Sequence, residues 1–336
     1  MTTWSPDFLG GYETTELVLA DAEPAPGEPS DVEPVATLIR KSGPRVASRA
    51  ALYVHGWNDY FFQTHVADYL TELGYDFYAI DLRRYGRSLR PGQLRGFITN
   101  LDDYSLELDA AADLIAVDHD RLLLMGHSTG GLVTALWAAQ NADRLEALIL
   151  NSPWLDMQGA AIVRTLGSPV IDRLGSRAPT SIIRLPDLGF NARSMHISLG
   201  GEWDYDLTLK STPGPPIRTG WLRAILLGHQ KVAAGLGIGV PILVLASTTT
   251  DFSRRWHEGL RTVDSVLDVE QIAVRAVRLG PHVTVVRIPE GLHDLTLSAP
   301  HVRKQALDEI GRFVEAYAKR PIALPDGSVG GGTRTD

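Results

Sequence analysis

The chain has 336 residues, of which 44% are apolar and 21% are charged, an ordinary balance for a globular protein with a buried core. Its 40 Asp and Glu residues outnumber its 32 Lys and Arg residues, which gives a net charge of −8. That charge argues against a nucleic-acid-binding protein and against a basic membrane-surface protein. The absence of Cys from the sequence excludes disulfide scaffolds, zinc–thiolate sites and cysteine nucleophiles.

The N-terminal segment has neither the basic region nor the apolar stretch of an export signal. No run of about 18 apolar residues occurs, so we expect no integral membrane segment. The His and carboxylate residues show no spacing typical of a metal site, and we predict no bound metal. These features predict a cytoplasmic protein, with homo-oligomerisation left open.

Short apolar runs alternate with amphipathic segments along the chain. Eight runs predict strands, at residues 15–19, 35–39, 51–54, 76–80, 122–125, 148–150, 242–245 and 283–286. Five amphipathic segments predict helices, at residues 66–73, 104–115, 132–141, 266–279 and 300–318. The alternation predicts an α/β fold with a mostly parallel, doubly wound sheet. The acidic, proline-rich stretch 23–34 predicts a mobile loop between the first two strands.

The interval between the strands at 148–150 and 242–245 is far longer than one crossover needs. Its aromatic residues and the helical stretch 221–234 indicate an inserted helical cap at residues 155–240 rather than a linker. The cap divides the α/β core into residues 1–154 and 241–320, and the glycine-rich residues 321–336 predict a disordered tail. Nine basic and six acidic residues give the cap a net charge of +3.

The motif that carries chemistry is Gly126-His127-Ser128-Thr129-Gly130, between the predicted strand 122–125 and the predicted helix 132–141. A Ser raised on a sharp strand-to-helix turn has a strained backbone, and the close crossing requires small residues two positions before and after it. The helix N-terminus behind the turn favours developing negative charge. Ser128 is therefore the candidate nucleophile.

A second turn, His55-Gly56-Trp57-Asn58, directly follows the predicted strand 51–54. A glycine-containing turn at this early position can present a backbone N–H to an oxyanion. We predict that the N–H groups of Trp57 and Thr129 form the oxyanion hole. The side chains matter little for this role because the donors belong to the backbone.

Together with Asp81-Leu82-Arg83-Arg84-Tyr85-Gly86-Arg87-Ser88, these motifs resemble the α/β-hydrolase superfamily, specifically its lysophospholipase or monoacylglycerol lipase-like serine hydrolases. The last stretch is similar to the family's Asp-x-x-Gly-x-Gly-x-Ser turn, with Arg84 in place of the first Gly. The resemblance covers roughly residues 35–155 and 241–318. It implies a Ser–acid–His triad in that chain order, a lid over the active site and no cofactor. The superfamily also includes enzymes that open the zearalenone macrolactone, so lactones join esters as expected substrates.

Three of the ten His residues lie late enough in the chain to follow the acid of such a triad. His282 precedes the predicted strand 283–286, at the wrong end of a parallel sheet, and His301 falls inside the final helix. His293 lies in a short loop after that strand, at the edge where Ser128 also emerges. We therefore predict that His293 is the base.

Three Asp residues compete for the role of the acid. Asp264 lies 29 residues before His293, about one helix plus one strand, and Asp264-Ser265-Val266-Leu267 resembles the family's Asp-x-Val-Val. This choice requires residues 252–263 to form a short helical excursion that returns the chain to the strand end. Asp251 is the second choice and Asp268 the third. Asp264 and Asp251 would each also suit the N-cap of a helix.

These residues predict a serine hydrolase, with Ser128, Asp264 and His293 as its triad, that cleaves a carboxylic ester or lactone through an acyl-enzyme. The expected partner is a small apolar molecule. A non-hydrolytic relative, either a ligand receptor or a cofactor-free lyase on the same fold, is the alternative. An epoxide hydrolase or dehalogenase would need an Asp where this chain has Ser128.

Apolar residues of the predicted cap could cover Ser128 and line a largely apolar pocket, although about half of them would form the cap's own core. Trp221 is the candidate that contacts substrate. The full set is Ile162, Val163, Leu166, Ile182, Ile183, Leu185, Trp221, Ile225 and Leu226. No concentrated charge cluster in the cap demands a phosphate or polycarboxylate, so we expect a preference for neutral, apolar substrates.

Overall fold

The computed structural model describes residues 2–157, 168–184 and 187–318. Its α-helices are α1 (Thr64–Glu72), α2 (Ser105–Ile115), α3 (Thr129–Ala138), α4 (Ser168–Arg177), α5 (Phe190–Met195), α6 (Thr219–Ala234), α7 (Val269–Ala276) and α8 (Pro300–Phe313). Its strands are β1 (Ser5–Pro6), β2 (Tyr12–Val18), β3 (Val35–Lys41), β4 (Arg49–Val54), β5 (Asp76–Asp81), β6 (Arg121–His127), β7 (Leu145–Asn151), β8 (Ile182–Ile183), β9 (Ile217–Arg218), β10 (Ile242–Ser247) and β11 (Val283–Ile288). The predicted tail, residues 321–336, lies outside the described residues.

The main sheet of the described chain has the strand order β1-β2-β3-β5-β4-β6-β7-β10-β11. The six strands from β5 to β11 in this order run parallel. The first three form an antiparallel edge, and β3 also pairs antiparallel with β5. The predicted mostly parallel α/β sheet is confirmed.

Alternate residues of the central strands enter two separate apolar cores. In β6, Leu122 and Leu124 pack on one face with residues of α2, α3, α6 and α7. Leu123 and Met125 pack on the opposite face with residues of α1 and α8. Side chains alternate between the two faces of a strand, so a strand that is apolar on both faces must be covered on both. This explains the continuous apolar run that predicts β6, and the doubly wound arrangement is confirmed.

The connection between β2 and β3 is anchored, and the expectation of a mobile loop there was wrong. The carboxylate of Glu28, from this connection, forms an ion pair with Arg84 at 2.8 Å, and both side chains are almost fully buried. Arg84 has a φ of 66°, in the left-handed region where the family's turn has Gly. The ion pair holds this strained residue in place and fastens the connection to the turn after β5.

Residues 155–240 leave the sheet after β7 and rejoin it before β10. The described part contains α4, α5, α6 and a two-stranded sheet in which β8 and β9 run antiparallel. On α6, Leu222 and Ile225 are buried in the same apolar core as Leu132 and Leu136 of α3. The segment is also attached to the core through Met195 and Tyr205, which are buried in a smaller cluster with Tyr60, Phe62, Leu292 and Leu297.

Candidate active site

Ser128 occupies the turn between β6 and α3. Its φ of 53° and ψ of −119° lie outside the common backbone regions, a strain that costs on the order of 1–3 kcal/mol. A Cβ on Gly130 would lie 2.6 Å from the carbonyl oxygen of Val54, and a Cβ on Gly126 would lie 2.7 Å from that of Gly130. Both contacts are too close for any side chain. The two glycines therefore allow α3 to cross β4 and β6 closely enough to form this turn.

His293 connects Ser128 to a buried carboxylate. Its Nε2 lies 2.9 Å from the Oγ of Ser128, and its Nδ1 lies 3.0 Å from Oδ2 of Asp264. Asp264 is fully buried, and His293 is 4% exposed. Hydrogen bonds of this length in a site shielded from water can orient an imidazole and transfer a proton between the serine oxygen and the ring.

The backbone that follows Asp264 fixes its carboxylate. Oδ1 accepts hydrogen bonds from the N–H groups of Val266 and Leu267, each at 2.8 Å, which leaves Oδ2 free to face His293. The helix α7 begins at Val269 rather than at the predicted residue 266, because Asp268 is its N-cap and accepts from the N–H of Glu270 at 3.1 Å. Asp268 thus caps a helix and takes no part in the contact with His293.

The chain between β10 and Asp264 leaves the sheet edge and returns to it. A single 3₁₀ turn, Glu258–Thr262, lies within the excursion. On return, the N–H of Asp264 donates to the carbonyl of Thr249 at 3.0 Å, and the N–H of Asp251 donates to the carbonyl of Asp264 at 3.1 Å. The carboxylate of Asp251 points away, toward His257 at 3.1 Å. The excursion brings Asp264 to His293 and leaves Asp251 outside.

The other two late histidines lie away from Ser128. The ring of His282 packs edge-on against Tyr317, with centroids 4.5 Å apart. His301 is exposed and contacts Glu290 at 2.9 Å.

The turn after β4 lies directly against Ser128. A Cβ on Gly56 would be 3.0 Å from the Cβ of Ser128, so a glycine permits the close approach. Thr129 is the first residue of α3, and its N–H is therefore not used inside the helix. Among the described residues, the N–H of Trp57 has no hydrogen-bond partner. Both groups belong to the two turns that border Ser128.

A cavity of about 530 Å³ opens onto Ser128 and His293. Its apolar lining comes largely from the inserted segment, namely Ile182, Ile183, Met195, Pro213, Pro215, Pro216 and Ile217, together with Val266. Polar and charged side chains also line it, so it is more polar than the sequence led us to expect. These are Asn58, Asp59, Arg184, Asp187, Asn191, Lys210, Ser211 and Thr212.

Trp221, the residue predicted to contact substrate, stands behind the cavity wall. It is 2% exposed, and its ring centroid lies 4.0 Å from that of Trp57. Trp57 does line the cavity. Ile225, from the same predicted set, is fully buried in the core. Ile162, Val163, Leu166 and Leu185 lie outside the described residues. Of the predicted set, Ile182 and Ile183 are the described residues that line the cavity.

Two buried titratable groups near the site were missed by the sequence reasoning. Burial lowers the pKa of His127, whose ring centroid lies 4.9 Å from that of His293. Burial by itself would raise the pKa of Asp294, but the charge of His127, a hydrogen bond from Thr296, the charge of Lys210 and a hydrogen bond from Asn151 lower it to about 2. A charged carboxylate thus lies 3.9 Å from Nε2 of His127, the ring that neighbours the candidate base. Its position directly after His293 was the available signal.

Within the described ranges, no three His, Asp or Glu side chains converge in a way that could hold a metal ion. No helix of the described chain is long and apolar enough to cross a membrane.

The sequence profile of the family described as serine aminopeptidase, S33, matches residues 47–252 of the chain. The chain belongs to this family. The family is one of serine hydrolases, and the predicted resemblance to the α/β-hydrolase superfamily is confirmed.

Individual relatives agree with this assignment. Over 86 residues, 25% of its length, the chain is 36% identical to phospholipase YtpA of Bacillus subtilis (strain 168), and the match spans 32% of that relative's length. The monoacylglycerol lipase of Paleococcus ferrophilus is 14% identical, with a TM-score of 0.60 over 80% of this chain and 94% of that one. A highly thermostable carboxyl esterase from Bacillus coagulans is 15% identical, with a TM-score of 0.61 over 91% of this chain and 99% of that one. The two solved structures establish the fold alone.

Proposed function

We propose that the protein hydrolyses a carboxylic ester or lactone of an apolar substrate through an acyl-enzyme. The observation that carries the proposal is the hydrogen-bonded series Ser128–His293–Asp264, with separations of 2.9 and 3.0 Å, at the mouth of a cavity of about 530 Å³. The S33 family and the partial identity to a phospholipase support hydrolytic chemistry.

In the proposed mechanism, the Oγ of Ser128 attacks the substrate carbonyl carbon and gives its proton to Nε2 of His293. The carboxylate of Asp264 holds the ring through Nδ1 and stabilises the imidazolium that forms. The N–H groups of Trp57 and Thr129 donate to the oxyanion of the tetrahedral intermediate. His293 then protonates the leaving alcohol, and the C–O bond to that alcohol breaks.

The acyl-enzyme is next attacked by water, which His293 deprotonates, and release of Ser128 completes the cycle. For a lactone, the leaving alcohol stays tethered to the acyl group. That alcohol must move away from His293 before water can attack, and a cavity with room beyond Ser128 would allow it.

We infer that residues 155–240 act as the cap over this site and select the substrate. The apolar side chains they contribute would bury an acyl or alcohol chain, and each buried methylene contributes about 0.8 kcal/mol. Trp221 would act on substrate through Trp57, whose ring it supports at 4.0 Å. The exposed side chains of Arg184 and Asp187 in the lining would place the polar end of a substrate near the rim.

The proposal is tested with p-nitrophenyl esters of increasing acyl length, measured beside several neutral lactones and an aminoacyl p-nitroanilide. The anilide is included because the family description names aminopeptidases. We expect kcat/KM to rise from acetyl to medium-chain esters, or to be highest for a lactone, with little turnover of the anilide. A kcat/KM that is highest for acetyl esters and falls with apolar size would contradict the apolar pocket.

The alternative, a non-hydrolytic receptor or lyase on the same fold, makes a different prediction. Ser128 would still react with a fluorophosphonate, because the geometry that activates it is present. No ester or lactone would be turned over. Fluorophosphonate labelling of Ser128 with no burst on any ester or lactone of the panel would therefore favour the alternative.

A further inference from the structure

The turn that carries the N–H of Trp57 is tied to the inserted segment at the next residue, Asn58. Asn58 has a φ of 51°, and its side chain makes three hydrogen bonds with Ser211. Its Nδ2 donates to the carbonyl of Ser211 at 2.7 Å, and its Oδ1 accepts from the N–H and Oγ of Ser211 at 3.2 and 3.1 Å. We call residues 56–60 the oxyanion loop and residues 206–211 the strap.

The two following residues of the oxyanion loop are tied to the strap as well. Asp59 is 2% exposed, and its carboxylate accepts a hydrogen bond from Nζ of Lys210 at 2.9 Å. The ammonium also lies over the rings of Phe62 and Tyr205, at 5.2 and 5.4 Å from their centroids. The Oη of Tyr60 accepts from the N–H of Asp206 at 2.8 Å. Three consecutive residues of the loop thus each bind one residue of the strap.

These contacts differ from the other ion pairs between the inserted segment and the core. The side chain of Lys210 is 11% exposed, whereas Lys231 pairs with Asp102 at the surface and is 47% exposed. An ion pair at the surface contributes little to the free energy of folding. When a buried pair loses one partner, the remaining charge is left unpaired and shielded from water, which is strongly destabilising. Removing one partner of the pair in the strap should therefore disturb the oxyanion loop far more than removing Lys231 disturbs α6.

We propose that Lys210 and Ser211 are positioning residues for the chemical step, because the strap holds the oxyanion loop with the N–H of Trp57 directed at the reacting carbonyl oxygen. This inference rests on the proposed function. It assigns to the inserted segment a part in transition-state stabilisation in addition to substrate binding. An oxyanion donor must be fixed before the charge develops, and a loop released from the strap would lose that preorganisation.

The test compares Lys210→Met with Lys231→Met, a matched lysine in the same segment. For Lys210→Met we expect kcat on a p-nitrophenyl ester to fall about 10- to 100-fold with KM nearly unchanged. A trifluoromethyl ketone forms a hemiketal with Oγ of Ser128, whose proton passes to His293, and the oxyanion of that hemiketal occupies the oxyanion hole. Affinity for this ketone should fall by the same factor. Lys231→Met should stay within about twofold of wild type in both measurements.

Asn58→Gly supplies a second variant if Lys210→Met folds poorly, since glycine accepts the positive φ but has no side chain to bind Ser211. Hydrogen exchange of a peptide covering 205–212 shows whether the strap has detached. Faster exchange with unchanged kcat and unchanged ketone affinity would overturn the positioning role alone. A wild-type protein that hydrolyses none of the esters or lactones, or a Ser128→Ala variant that retains activity, would overturn the proposed function and this inference together.

Discussion

The core and the inserted segment contribute to the site in different ways. Ser128, Asp264 and His293 all come from the core, and each follows a strand of the parallel sheet within one loop or excursion. The inserted segment contributes the cavity wall through short elements, and β8 and β9 have two residues each. The segment has a net charge of +3, whereas the chain as a whole carries −8.

Under the proposed function, this difference assigns reactivity to the core and substrate selectivity mainly to the inserted segment. The carboxyl ends of parallel strands meet at one edge, so the sheet fixes the distances among Ser128, Asp264 and His293. The wall depends on contacts between distant parts of the chain, such as Trp57 with Trp221 and Asp59 with Lys210. Changes in the core should therefore abolish the chemistry, and changes in the segment should adjust rates among substrates.

The largest effect is expected from Ser128→Ala. Hydrolysis should fall by about 10⁴-fold or more, because nothing else at the turn can supply the attacking oxygen. Circular dichroism and thermal unfolding should match wild type, since the substitution removes one oxygen. Activity above about a hundredth of wild type, with contaminating esterase excluded, would contradict the role of Ser128.

The next largest effect distinguishes the two acids. Asp264→Asn should lower kcat by about 10²- to 10⁴-fold, because an amide can accept from Val266 and Leu267 but leaves the imidazolium without a balancing charge. Asp251→Asn should change kcat by less than about twofold. The comparison is made on one ester at saturating concentration. Reversed results would assign the acid to Asp251.

A smaller effect is expected in the cavity wall. Ile183→Ala should lower kcat/KM for medium-chain esters about fivefold, because about 1 kcal/mol of apolar contact is lost, and should leave acetyl esters within twofold. Ile197→Ala is the matched control, since Ile197 belongs to the same segment and is 57% exposed. An equal loss for short and long esters would show that Ile183 supports the fold rather than the substrate.

We also expect the inserted segment to make the free energy of unfolding depend on pH. Burial lowers the pKa of His229, on α6, from 6.5 to about 4, and its Nε2 lies 3.0 Å from the carbonyl oxygen of Trp154. The unfolded chain binds the proton first, so the contribution of His229 is complete above about pH 6.5 and is lost as the pH falls toward 4. The slope in that range is about 1.4 kcal/mol per pH unit.

Urea unfolding at pH 7.5, 6 and 5 checks this expectation. His229→Gln should be less stable than wild type at pH 7.5 and should lose less stability on acidification. The free energy of unfolding of the variant will still fall somewhat with pH, because burial also lowers the pKa of His127. If the free energy of unfolding changes with pH by the same amount in the two proteins, the pKa of His229 does not differ between the folded and unfolded states.

The residues that sequence reasoning identified are those whose positions follow from local pattern. Gly126, Ser128 and Gly130 form a motif with its own backbone requirements, and the order of strands leads to His293. Asp264 required the further assumption that the chain leaves the sheet and returns. The hydrogen bonds from Asp264 to Thr249 and from Asp251 to Asp264 show that it does.

The features that were missed depend on contacts between residues far apart in sequence. Asp59 and Lys210 are 151 residues apart, and Glu28 and Arg84 are 56 apart. No periodicity or motif in the sequence links the two residues of such a pair. The connection between β2 and β3, which the pair Glu28–Arg84 anchors, was therefore predicted to be a mobile loop. Trp221 was assigned to the pocket because an apolar residue in a cap suits either the wall or the core, and only packing decides between them.

The most direct test of the central claim is mass spectrometry of the protein after reaction with a fluorophosphonate, with and without a medium-chain ester as competitor. We expect one adduct per chain, located on Ser128, and slower labelling in the presence of the ester. The Asp264→Asn variant should label much more slowly than wild type, and Asp251→Asn at the wild-type rate. An adduct on another residue, or labelling of Ser128 that is independent of Asp264 and of the ester, would contradict the account.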